Sequence, residues 1–146
     1  MNKELTYQYC DNQTEAFFEE TIPLSILSEV QVEPLDKSRI DFAEQVPLRC
    51  YDNVVNTLLK NTDSAPELRL CLGLQQDTNE TDKVVEHCWI EKEGEYFDSS
   101  EELNNSRYYL FCSLSLQELL QIMESYDLEF IPNISTLLTL RNAIGD

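Results

Sequence analysis

Only three glycines occur in the 146 residues, too few for a glycine-rich phosphate loop, so nucleotide chemistry of that type is excluded. A single histidine and the lack of any Cys-x-x-Cys pair leave no zinc-site spacing, and neither a metal nor another cofactor is expected. Bases are scarce too. Lysine and arginine number 10 against 28 acids, a formal net charge of -18, which repels polyanions and argues against direct binding of nucleic acid or anionic lipid. No apolar run reaches the ~18 residues of a membrane span, and the first residues carry no apolar signal-peptide core. Repeats and low-complexity runs are lacking.

What is present suits one domain: 42% of the residues are hydrophobic, enough for a single core at this length. The five cysteines are Cys10, Cys50, Cys71, Cys88 and Cys112. Their odd number, in a chain long enough to fold without staples, predicts free thiols in a reducing, cytoplasmic compartment. The acids are unevenly spread, with ten acids and two lysines between Asp77 and Glu102. That run predicts one markedly negative flank, either a solubilising surface or a docking face for a basic partner.

Periodicity predicts an α+β fold of one domain spanning residues 1–146. The first third reads as an irregular arm punctuated by Pro23, Pro34 and Pro47, with a short helix over Thr14–Glu20. Tyr7, Tyr9, Phe17 and Phe18 suit a partner surface or, the reading favoured for an arm folded against a sheet, anchors to the core. From Pro47 onward, Cys50, Val54, Val55, Leu58 and Leu59 fall on one face of an amphipathic helix. Leu68, Leu70, Leu72 and Leu74 alternate with smaller or polar residues, the period-two pattern of a strand. Val84–Ile90 and Glu95–Asp98 read as a hairpin turning at Glu93-Gly94, and Arg107–Leu114 as a further strand. A capping box, Ser115 to Glu118, then opens a helix with Leu116, Leu119, Leu120 and Met123 as its buried stripe. A last helix lies around Ser135–Asn142. The sheet is thus expected to be mainly antiparallel, with a helix carrying Cys50 before it and helices at the C-terminus.

One constellation points to chemistry. A nucleophilic thiol needs a lowered pKa, a base within reach and a third group orienting that base. Cys50 falls in the first turn of its helix, where unpaired N–H groups and the macrodipole favour a thiolate. In the hairpin, a two- or four-residue loop centred on Glu93-Gly94 places His87 and Asp98 diagonally on one face, while a three-residue loop separates them. Trp89 beside His87 reads as a core anchor in preference to a lid over the imidazole.

The segments Cys50-Tyr-Asp-Asn-Val54, His87-Cys-Trp-Ile90 and Gly94-Glu-Tyr-Phe-Asp98 resemble the three blocks of transglutaminase-like, papain-related thiol proteins of bacteria and their viruses. The resemblance covers roughly the middle third of the chain. It implies acyl transfer at an amide, peptide or isopeptide bond. Cys50 would attack the carbonyl carbon, His87 would take and return the proton, and Asp98 would hold the imidazole tautomer. The Cys50 backbone N–H and an upstream donor, Gln45, would stabilise the oxyanion. The charge supports a different reading, a non-enzymatic acidic interaction protein such as an inhibitor, an immunity-type partner of a basic toxin, or a charge mimic. A degenerate thiol-enzyme fold serving as a scaffold would join the two.

Overall fold

The computed structural model describes residues 3–10, 16–34, 50–62, 68–77, 83–98, 106–129 and 131–143. The chain is α+β, and among the described residues it has three α-helices and eight strands in a mixed sheet. Over residues 3–10 and 16–34 the first third differs from the expected irregular arm; residues 35–49, with Pro47, lie outside the described residues. Strands β1 (Glu4–Cys10) and β2 (Phe17–Pro23) form a regular antiparallel hairpin, in register from Glu4 with Pro23 to Cys10 with Phe17. Phe17–Glu20 is strand where a helix was expected; Thr14 and Glu15 lie outside the described residues. Phe17 and Phe18, with Thr21 and Ile22 beyond the two glutamates, favour a strand, and cross-strand pairing of Phe18 with Tyr9 and Glu20 with Tyr7 settles what propensity left open.

A 3-10 turn (Leu24–Ile26) leads into β3 (Ser28–Val30) and β4 (Val32–Pro34), separated only by Gln31. Helix α1 follows at Cys50–Lys60, then β5 (Arg69–Asp77), β6 (Val84–Lys92), β7 (Glu95–Asp98) and β8 (Ser106–Ser115). Helices α2 (Leu116–Ser125) and α3 (Ile134–Ala143) complete the described chain. The strand order is β2-β1-β6-β5-β8-β3, with β7 also on β6 and β4 on β7.

These pairings close a ring. β3 runs antiparallel to β8, β8 to β5, β5 to β6 and β6 to β7, and β4 lies parallel to β7. Val30 and Val32 are buried or half-buried while Glu29, Gln31 and Glu33 are exposed. The period of two therefore runs unbroken through Gln31, and β3 and β4 act as one strand crossing from the β8 edge to the β7 edge. A small barrel with two distinct faces results.

Each strand sends alternate residues to two separate cores. Outside the ring, Leu70, Leu72, Leu74, Cys88, Ile90 and Phe97 meet α1 through Val54 and Leu58, α2 through Leu119 and α3 through Ile134. Inside it, Trp89, Cys71, Tyr108 and Val32 form a second cluster with Val30, Tyr96 and Leu110 against it. Gly73 makes the inner packing possible: a Cβ there would collide with the Tyr109 carbonyl and the Trp89 ring. Opposite it, pairing shifts from Leu72 with Cys112 to Gly73 with Leu110, so Phe111 is the extra residue of a β-bulge.

Helix α2 opens with the expected capping box: the Ser115 hydroxyl accepts from the Glu118 N–H and Glu118 accepts from the Ser115 N–H, each at 3.0 Å. Its stripe is narrower than the pattern implied. Leu119 is buried and Leu116 and Met123 are partly buried, but Leu120 is 54% exposed, because one sheet face covers only part of a helix circumference. The N-terminus of α3 is held by a strand residue, as Glu86 Oε1 accepts from the Ile134 N–H at 2.7 Å, a carboxylate at the positive end of a helix.

Candidate functional site

The β6–β7 turn consists of Glu93 (φ 53) and Gly94 (φ 81), both left-handed, which fits a two-residue hairpin loop whose twist matches the strands. Ile90 pairs with Phe97, Glu91 with Tyr96 and Lys92 with Glu95. Continuing that register sets Asp98 opposite Trp89 and diagonal to His87 on the inner face. There His87 Nε2 lies 2.8 Å from Asp98 Oδ2, the ring N–H donating to the carboxylate.

Asp98 is 2% exposed and its Oδ2 also accepts from the Tyr108 hydroxyl at 2.6 Å. Gln75 Nε2 in turn donates to Tyr108 Oη at 3.2 Å and to Ser106 Oγ at 3.3 Å. A buried carboxylate is tolerable only when such donors replace its water. Burial, the Asp98 charge and the hydrogen bond to it all push the Tyr108 hydroxyl well above the ordinary tyrosine range, so it stays a donor. Trp89 packs edge-on to Tyr108, with centroids 5.2 Å apart, and lies 6.3 Å from His87. Its indole Nε1 is buried without a hydrogen-bond partner among the described residues.

The opposite end of the ring carries a second polar cluster. Arg69 donates through Nε to Ser113 Oγ and through its terminal nitrogen to the Ser113 carbonyl, each at 2.9 Å, and to Glu118 at 3.0 Å. Ser113 Oγ donates to Glu91 at 2.9 Å. The backbone N–H of Ser115, with smaller help from its hydroxyl and Arg69, holds the Glu118 carboxyl below its usual range. Burial, and then the Glu91 charge, push the Cys71 thiol up. Burial and the Glu118 charge push Cys112 up to about 11. Both thiols are poor nucleophiles at neutral pH.

Of the residues singled out for acyl transfer, the structure brings His87 and Asp98 together. Cys50 is the first residue of α1, with its side chain outside the described residues. That helix packs on the outer face of the sheet through Val54 and Leu58, whereas His87 and Asp98 point into the ring. Gln45 lies outside the described residues. With Nε2 engaged by Asp98, proton exchange between His87 and any further group must pass through Nδ1.

Sequence reasoning missed Tyr108 and Gln75. A usable signal existed, because a tyrosine on the buried side of an alternating strand demands a partner for its hydroxyl. Of the acids between Asp77 and Glu102, Glu80, Asp82, Glu101 and Glu102 lie outside the described residues, and those described along β6 and β7 point in different directions. Asp98 is buried in the ring, Glu91 bonds Ser113 and Glu86 caps α3, while Glu93 and Glu95 are exposed. Alternation along β6 and β7 sends neighbouring acids to opposite faces.

No group of histidine, cysteine or acidic side chains among the described residues is arranged to hold a metal ion. No helix among them is long and apolar enough to cross a membrane. Comparison with protein-family models, curated proteins and solved structures gives no match.

Proposed function

We propose that the protein is an acidic interaction module that binds a basic protein partner. The observation that carries this reading is the sign of the surface. Glu19 and Glu20 on β2 and Glu29 and Glu33 on β3–β4 are exposed, as are Glu124, Asp127 and Glu129 beyond them. The exposed bases among the described residues are Lys3, Lys60, Lys83 and Arg107. Such a field speeds encounter with cations and selects against anionic partners. The test is a titration with a lysine-rich peptide and an uncharged peptide of equal length, at low and at raised salt. Binding should be confined to the cationic peptide and fall steeply with salt. Equal binding of both peptides, or binding indifferent to salt, contradicts it.

A second reading is favoured by the His87–Asp98 contact at 2.8 Å. It is cysteine-dependent acyl transfer, with Cys50 as nucleophile, His87 as base through Nδ1 and Asp98 orienting the ring. It requires Cys50 to reach Nδ1 from a helix seated on the outer face. Selective alkylation of Cys50 at neutral pH that is lost in His87→Ala would support it.

A further inference from the structure

Strand β2 is terminal in the sheet order, and no described residue pairs with its outer edge. Exposed edges are ordinarily blunted by charged side chains, lysine above all, or by an internal proline, a bulge or shortness. β2 carries charge of one sign only, at Glu19 and Glu20; it runs seven residues in unbroken register with β1, lacks lysine, and has its one proline, Pro23, at the end. Its aromatic side chains face solvent, Phe17 at 75% and Phe18 at 45% exposure. Phe18 stacks on Tyr9 at 5.8 Å, and Tyr9 lies 6.0 Å from Tyr7, so aromatic surface continues inward from the edge. Alternation puts Phe18 and Glu20 on one side of β2 and Phe17 and Glu19 on the other. Each side therefore offers an aromatic ring followed, two residues on, by a carboxylate.

We propose that the β2 edge is the docking site for an extended segment of a basic protein, which adds to the sheet as a further strand. Lysine or arginine would sit against Glu19 and Glu20, and apolar residues against Phe17 and Phe18. Backbone pairing supplies affinity in this mode and the alternating side chains supply selectivity. The inference rests on the acidic-module reading and says where on that module the partner binds. A second copy of the chain fits the edge less well, since antiparallel self-pairing centred on β2 sets Glu20 against Glu20.

The probe is a short synthetic peptide alternating lysine with valine, compared with one of equal charge in which a central valine is proline. With the alternating peptide at low salt, amide exchange should slow within Phe17–Pro23. The proline peptide should bind roughly tenfold more weakly, because it cannot complete the strand. The Glu19→Lys/Glu20→Lys variant should lose roughly tenfold in affinity. The Glu124→Lys/Glu129→Lys variant, altered at and beyond the end of α2, should lose little. Equal binding of the proline peptide, or protection appearing outside β2, overturns the edge site while leaving the acidic-module reading standing. No binding of either peptide at low salt overturns both. A dimer in sedimentation that Glu19→Lys/Glu20→Lys alters would assign the edge to a second copy and overturn the basic partner.

Discussion

Replacing Asp98 by alanine is the sharpest perturbation of the ring. The carboxylate is buried, and one of its oxygens accepts from both Tyr108 at 2.6 Å and His87 at 2.8 Å. Hydrogen bonds to a charged group contribute about 1.5–3 kcal/mol each, but two that share an oxygen are not additive. Alanine also strands the buried Tyr108 hydroxyl, whose remaining neighbour, Gln75 Nε2, is itself a donor. Losing these charge-assisted bonds and leaving that hydroxyl without an acceptor should cost about 2–4 kcal/mol for Asp98→Ala. Since a domain has only about 5–15 kcal/mol in hand, Asp98→Asn provides a folded comparison. It keeps an acceptor for Tyr108 and should cost about 1–3 kcal/mol. Urea unfolding followed by far-ultraviolet circular dichroism measures both, and adding Tyr108→Phe completes a double-mutant cycle. The cycle should show a coupling of about 1–2 kcal/mol between Asp98 and Tyr108. A loss below about 1 kcal/mol for Asp98→Ala, or strict additivity in the cycle, would refute the shared-carboxylate network.

Gly73→Ala forces a Cβ into the Tyr109 carbonyl and the Trp89 ring; it should cost about 3 kcal/mol or more in urea unfolding, and a neutral result would mean the bulge is packed differently. Ser115→Ala removes one half of the capping box and should cost about 1 kcal/mol, read as a lowered urea midpoint with an unchanged slope. Stability should also fall in alkali. Cys71, Cys112, Tyr7 and Tyr108 are all raised by burial, so the unfolded chain releases protons that the folded chain keeps. Their contribution is complete below the ordinary thiol and tyrosine values and is lost as pH climbs past them; for Cys112 the window runs from 9.0 to about 11. Urea midpoints that stay flat between pH 8 and pH 11 would contradict this sign.

Local pattern revealed the elements with strong periodicity. The alternating leucines of β5, the Glu93-Gly94 turn and the Ser115 capping box each rest on interactions between residues close in sequence, and the structure has all three. The His87–Asp98 approach was legible for the same reason, since a tight turn fixes the register on both sides. The closing of the ring was not legible. It depends on β3 and β4, two three-residue strands whose partners lie in β8 and β7, far along the chain. Nothing in the local sequence states which distant edge a short strand joins. That missing closure also hid which side of the sheet His87 faces relative to α1. Phe17 and Phe18 were ambiguous for a related reason: aromatic residues suit either a core anchor, the reading favoured from the sequence, or a partner surface, and only the sheet order puts them exposed on the terminal strand.

The choice between a binding module and a thiol enzyme turns on one side chain, so labelling the folded protein with sub-stoichiometric alkylating reagent across a pH series, and mapping the modified cysteines, is the most direct measurement. An interaction module with His87 and Asp98 turned into the ring predicts that Cys50 labels to the same extent in His87→Ala as in the unaltered chain. Selective labelling of Cys50 at neutral pH that disappears in His87→Ala would contradict the account and place a working Cys-His pair in this fold.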